Sequence, residues 1–144
     1  MPLRIEYQAR VQGRVTGLLR MDWAAQAMTY VADQIDRNQV NVAAINWSWG
    51  SSDSGGLGAG VANLLAHDVM IIHAAGNDNS TDADFLGSKA GVMNVAATDV
   101  NGTGASFTSH GAWVDIAAPG EDILSTYSNP DDPNLNNHYP GFPR

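Results

Sequence analysis

The chain has 144 residues, 44% hydrophobic and 15% charged, which fits one globular domain or part of one. A net charge of −8 with seven scattered Lys and Arg excludes a basic nucleic-acid patch, and the lack of cysteine excludes disulfides and thiolate metal sites. No apolar run is long enough to cross a bilayer, and Arg4, Glu6, Arg10, Arg14 and Arg20 leave no apolar signal-peptide core in residues 1–20.

Ile5, Tyr7, Ala9 and Val11 alternate with Glu6, Gln8 and Arg10, which predicts a half-buried strand. Gly13 and Gly17 predict a loop over 12–20. Asp22 is a candidate N-cap. Behind it Trp23, Ala27, Met28, Val31 and Ile35 fall at helical spacing and predict a helix over 22–37. Residues 42–47 form a short β-branched apolar run closed by a Ser/Gly cluster, the mark of a buried strand. A loop over 50–56 follows, and then Val61, Leu64 and Leu65 predict a helix ending near His67. Residues 69–74 predict another buried strand that stops at Gly76-Asn77. A polar loop over 78–91 and a strand over 92–97 come next.

Asn101-Gly102 is a strong turn dipeptide. Short strands are predicted around 105–107, 114–116 and 123–126, with Pro119-Gly120 as punctuation. The tail from Ser128 holds four prolines and four asparagines and reads as irregular. One domain, or part of one, over 1–127 and an irregular segment over 128–144 is therefore the expected organisation.

Strand, helix, strand, helix, strand predicts an α/β fold with a parallel sheet and right-handed crossovers. Ligands bind such sheets beyond the carboxyl ends of the strands. Two successive strands end there in small-residue corners, Ser48-Trp49-Gly50 and Ala74-Ala75-Gly76-Asn77. Sequential strands are commonly neighbours, so the two corners are expected to face each other across a crevice.

These segments resemble a known family. Asn46-Trp47-Ser48-Trp49-Gly50 is similar to the Asn-x-Ser-x-Gly corner of subtilisin-like serine peptidases, and Ala74-Ala75-Gly76-Asn77 to their oxyanion-hole segment. Val95-Ala96-Ala97-Thr98-Asp99, Ala105-Ser106-Phe107 and Ser109-x-Gly111 resemble the strand and turn that follow. Asp115-Ile116-Ala117-Ala118-Pro119-Gly120 with Ile123-Leu124-Ser125-Thr126 resembles the family's Ala-Pro-Gly segment. Met1-Pro2 and the strand from Tyr7 to Val11 are similar to the stretch after the catalytic-His helix. Each motif alone is weak; their shared order over residues 1–126 is what carries the resemblance.

The resemblance implies a doubly wound, three-layer α/β domain, incomplete in this chain. It implies that Asn77 is the oxyanion donor, and that Ser48, Trp49 and Gly50 face Ala74, Ala75 and Gly76 as the two walls of the primary specificity pocket. Small uncharged walls favour an apolar or large side chain. Gly76, lacking a Cβ, would let that side chain approach the backbone. Trp49 stands where the family commonly has an aliphatic residue and is expected to narrow the extended subsites. The implied partner is a peptide or protein substrate, with no nucleic acid and no membrane, and the parent protein is expected outside the cell.

The family's triad motifs are missing from their places. Asp53-Ser54-Gly55 imitates the Asp motif but follows the 48–50 corner instead of preceding it. His110-Gly111 imitates the His motif but lies after Asn77, and Gly102-Thr103-Gly104 lacks the nucleophile. All three read as turn chemistry. The expectation is a chain that starts after the His helix, stops near the Ser segment, lacks flanking parts of its own domain and is inactive by itself. A parallel sheet cut this way is also expected to expose edges and associate.

Asp78, Ser80, Asp82 and Asp84 alternate like the start of a calcium loop. However, Ala83 stands where glycine is needed and Lys89 where a Glu is needed, so a solvated acidic loop is expected. No cofactor is required; the resemblance allows a structural calcium in the full-length parent, with Asp115 at one such position. His67, His73, His110 and His138 show no ligand spacing, and His73 reads as a satisfied core residue. Two rival functions remain: a non-catalytic peptide-binding scaffold of the same fold, and a nucleotide-binding module. The second rests on Gly56-x-Gly58-x-Gly60, but a dinucleotide fingerprint needs its last glycine where Val61 stands.

Overall fold

The computed structural model describes residues 5–11, 14–51 and 55–123. Among these, the elements in chain order are strands β1 (Glu6–Val11) and β2 (Arg14–Leu19), helix α1 (Met21–Asp36), strand β3 (Ala44–Trp47) and helix α2 (Leu57–Ala66). Strands β4 (Met70–Ala74), β5 (Val92–Thr98) and β6 (Ile116–Pro119) complete the order.

The loop predicted over 12–20 is mostly strand. β2 pairs antiparallel with β1 from Glu6↔Leu19 to Val11↔Arg14. Cross-strand hydrogen bonds outweigh the weak strand preference of Gly17, an influence local sequence does not carry. The predicted N-cap is also displaced. α1 begins at Met21, and Arg20 occupies the N-cap position without a side-chain cap. Asp22 lies in the first turn with its carboxylate accepting from Arg20 Nε at 2.9 Å. That bond to Arg20 holds the Asp22 carboxyl below its usual range.

β3, β4, β5 and β6 form one sheet in that order, every pair parallel. The apolar runs at 42–47, 69–74 and 92–97 are thus its three leading strands. Residues pair as Trp47↔His73 and His73↔Asn94, so these three share one face. On that face Trp47, Ile71 and Val92 join Met28, Val31, Leu57, Leu64 and Leu86 in the buried core. α2 crosses α1 closely because Gly60 has no side chain: a Cβ there would lie 2.5 Å from Met28 Sδ.

The opposite face carries Ala44, Asn46, Met70, Ile72, Ala74, Met93, Val95 and Ile116, all exposed or half-buried. Met70 and Ile116 are 47% and 49% exposed. Parallel sheets normally bury both faces. Among the described residues this one has a helix layer on one side only, so its three-layer core is incomplete.

Two predicted short strands change. Residues 105–107 are a turn, and Gly104 makes an isolated bridge to Thr98. The reason lies at the end of β5, where β4 has already left the sheet. There the Ala97 N–H donates to Thr108 Oγ1 at 2.9 Å and Ala97 O accepts from Ala105 N at 3.0 Å. The strand predicted at 114–116 starts at Ile116 and runs through Pro119. Among the described residues β6 is an edge strand, where a residue without an N–H is tolerated. Residues 124–126 of the last predicted strand, the tail from Ser128, and Asp53 and Ser54 lie outside the described residues. Among the described residues no helix is long and apolar enough to cross a membrane.

Candidate functional site

β3 and β4 are neighbours, and their carboxyl ends open on one side of the sheet. A cavity of about 260 Å³ lies there. Ser48 from the first corner and Ala74, Ala75, Gly76 and Asn77 from the second line it, with Thr108 and Ala118-Pro119-Gly120 completing the rim. Its floor is Asn46, Ile72, Val95 and Ala97, all from the helix-free face of the sheet.

The second corner is held rigidly. Gly76 has φ +100, a backbone conformation that favours glycine. Gly76 O accepts from Ser109 N at 3.0 Å, and Asn79 N donates to Phe107 O at 2.8 Å. Ser109 is 3% exposed and its hydroxyl accepts from Ser80 N at 3.3 Å. Asn77 is exposed at the end of this stitched segment. Ala75, buried, donates its N–H to Val95 O at 2.9 Å, which carries the β4–β5 pairing one residue past the strand.

The first corner is looser in what it brings to the cavity. Ser48 Oγ accepts from the Asn46 side-chain amide at 3.0 Å, a side-chain partner in place of local backbone. Trp49 is half-buried and packs edge-on against Trp47 with ring centroids 5.1 Å apart. It lines a second cavity of about 390 Å³ beside α1. Gly50 is exposed, and a Cβ there would sit 3.9 Å from Asp84 Oδ2. The cavity therefore unites Ser48, Ala74, Ala75, Gly76 and Asn77, while Trp49 and Gly50 stand beside it.

Thr108 and Ala118-Pro119-Gly120 were not singled out as site residues from sequence. The available signal was the parallel register: a fourth strand extends the same row of carboxyl ends.

The sequence decoys have structural roles. His110 N donates to Ser80 O at 2.9 Å, which pins the 109–111 turn on the second corner. In the Asn101-Gly102 turn, Asp99 Oδ1 accepts from Thr103 N and Asn101 N, each at 2.8 Å. The Thr103 bond leads in holding the Asp99 carboxyl below its usual range. A Cβ at Gly58 would only touch the Phe85 ring at 3.3 Å, while Gly60 serves the packing of α2 on α1. In the acidic loop Asp84 is committed to backbone: Oδ2 accepts from Ser51 N and Oδ1 from Gly87 N, both at 2.7 Å. Asp115 Oδ2 accepts from Asn94 N at 2.7 Å. No group of three or more His, Asp or Glu able to hold a metal ion occurs among the described residues.

The chain is similar to known proteins over most of its length. A family model described as the subtilase family matches residues 7–141. Alkaline protease 1 of Aspergillus flavus is 39% identical over 108 residues, covering 74% of this chain and 25% of that protein. Proteinase R of Parengyodontium album is 37% identical, covering 69% and 26% respectively. Subtilisin BL of Lederbergia lenta is 38% identical, covering 62% and 33%. Among solved structures, the prenylagaramide maturation protease PagA superposes with a TM-score of 0.63 at 25% identity, over 77% of this chain and 41% of its own. The chain thus spans about a quarter to a third of these curated relatives. With a matched segment that contains the whole parallel sheet and both cleft corners, the chain belongs to the subtilase family.

Proposed function

We propose that the cleft beyond β3 and β4 receives the backbone of a peptide or protein substrate, and that Asn77 donates its side-chain amide to the carbonyl oxygen under attack. The observation that carries this reading is the gathering of Ser48, Ala74, Ala75, Gly76 and Asn77 around one cavity, with Asn77 exposed to it. Acyl transfer places negative charge on that oxygen at the transition state. A fixed donor aimed at it therefore stabilises the transition state more than the substrate. Loss of such a donor costs about two to three orders of magnitude in turnover, a figure that comes from subtilisin itself.

On this reading the 48–50 and 74–76 segments are the two walls of the primary specificity pocket. Trp49 and Gly50 contribute main chain, and the small uncharged walls favour an apolar or large side chain. The chemistry calls for no cofactor; a structural calcium, where present, belongs to the complete parent. That parent acts as a serine endopeptidase outside the cell, with the triad supplied by other segments of the same domain. The 144 residues themselves hold no Asp, His and Ser motifs in family order, so the chain is inactive unaided.

Nitrogen-resolved NMR of the chain titrated with an unreactive peptide bearing a large apolar residue is the test. Amide signals of Ser48, Ala75, Gly76 and Asn77 are expected to move together. Movement elsewhere only, or none, overturns the cleft assignment. Inhibitor-sensitive cleavage of a peptide by the purified chain overturns the claim of inactivity. A parent that binds peptide but lacks triad-coding segments would instead be a non-catalytic scaffold.

A further inference from the structure

Behind the cleft, on the covered face of the sheet, three polar side chains meet: His73, Asn94 and Asp84. His73 is 1% exposed and Asn94 2%. They sit at paired positions of β4 and β5. The surrounding acceptors fix their protons. Asn94 Nδ2 donates to Gly87 O and to Trp113 O, each at 3.0 Å. Two carbonyls can only accept, so the amide orientation is set and Oδ1 faces His73. His73 Nδ1 lies 3.1 Å from that oxygen and must carry the hydrogen.

The other ring nitrogen faces Asp84. His73 Nε2 is 3.3 Å from Asp84 Oδ2. It is enclosed and, among the described residues, has no hydrogen-bond partner. A neutral ring protonated at Nδ1 would aim the Nε2 lone pair at a carboxylate inside the protein, where such an opposition is costly.

The same carboxylate holds the first corner. Asp84 Oδ2 also accepts from Ser51 N at 2.7 Å and from Ser51 Oγ at 3.1 Å, and Ser51 Oγ accepts from Leu86 N at 3.0 Å. Ser51 directly follows the 48–50 corner, and His73 precedes the 74–77 corner by one residue. The two corners are joined from behind through a single carboxylate.

We propose that His73 is a positioning residue. It is an imidazolium protonated on both nitrogens, paired with Asp84, and it fixes the spacing between the two walls of the cleft. The inference deepens the proposed function, since it rests on reading the two corners as walls of one substrate site.

The test is NMR of the imidazole nitrogens in the unaltered chain at neutral pH, with Asp84→Asn as the comparison. Both His73 nitrogens are expected to show the protonated signature. In Asp84→Asn the Nε2 signal should shift to the unprotonated form, and the amides of Ser48 to Ser51 and of Ala75 to Asn77 should shift together. An unprotonated nitrogen in the unaltered chain overturns the proposal even if Asp84→Asn fails to fold. So does an Asp84→Asn spectrum that moves one corner and leaves the other in place. Neither readout uses a peptide, so its failure is distinct from failure of the peptide titration.

Discussion

The contact between α1 and α2 gives the sharpest test of the packing. Gly58 and Gly60 sit on the same helix, two residues apart, and alanine should act on them with opposite sign. In a helix interior, Gly→Ala gains about 0.8–1.0 kcal/mol of propensity, less in the first turn where Gly58 lies. Against this stands the added methyl. At Gly60 it would fall 2.5 Å from Met28 Sδ, 3.1 Å from its Cβ and 3.4 Å from its Cγ. Met28 is 3% exposed, and its Cβ cannot rotate out of the way. Overpacking of this kind costs about 1–3 kcal/mol, so Gly60→Ala is expected to destabilise by about 1 kcal/mol net.

At Gly58 the nearest atom is Phe85 Cζ at 3.3 Å, the far end of a half-buried ring that can yield by a few tenths of an ångström. Gly58→Ala is expected to be neutral or to stabilise by about 0.5 kcal/mol. Urea unfolding followed by circular dichroism reads both. With a slope of about 2 kcal/mol per M, the Gly60 variant's midpoint should fall by about 0.5 M while the Gly58 midpoint holds or rises. If both midpoints move the same way, Gly60 is not packed as described.

Met70→Lys, on the helix-free face, is expected to change stability by no more than about 0.5 kcal/mol and to reduce self-association in sedimentation experiments. A loss beyond about 2 kcal/mol would mean that the face is covered in solution. His67 gives a pH test. Nδ1 lies 2.7 Å from Asn63 O and Nε2 3.0 Å from Asp36 Oδ1, and the Asn63 carbonyl first, then Asp36, raise its pKa. A raised folded value means stabilisation that is full below the unfolded value and lost as pH rises through the folded one. Asp36→Asn should therefore lower the NMR titration midpoint of His67 without removing the whole elevation. Its stability deficit should be largest in acid, close in alkali, and shrink with salt because the pair is solvent-screened. An unmoved midpoint would refute the pairing.

What the sequence could reveal follows from range. The apolar β-branched runs at 42–47, 69–74 and 92–97 mark strands buried by their own composition, and they are the sheet's first three strands in order. α1 was legible because Met28, Val31 and their neighbours repeat at helical spacing. β2 was not, because its strand character comes from β1 across a hairpin. The Asp22 cap failed for a related reason: a guanidinium two residues away competes for the same carboxylate. The corners at Ser48 and at Ala74 to Asn77 could be placed together because adjacent parallel strands end on the same side. The His73, Asn94 and Asp84 cluster could not. Its one sequence trace is a polar residue inside each of two apolar strands, and only their register makes those two neighbours.

That register has a consequence for how such a site can vary. Along β4, Ile71 and His73 are buried while Ile72 and Ala74 lie on the open face of the sheet, and β5 repeats the division with Asn94 and Ala96 buried against Val95 and Ala97 half-buried. Alternate letters of one short word thus address two separate surfaces. Substitutions at the even positions of β4 and the odd positions of β5 can re-shape what the cleft admits while the scaffold beneath stays as it was. A library confined to Ile72, Ala74, Val95 and Ala97 would explore recognition while leaving the buried side chains of the same strands unchanged.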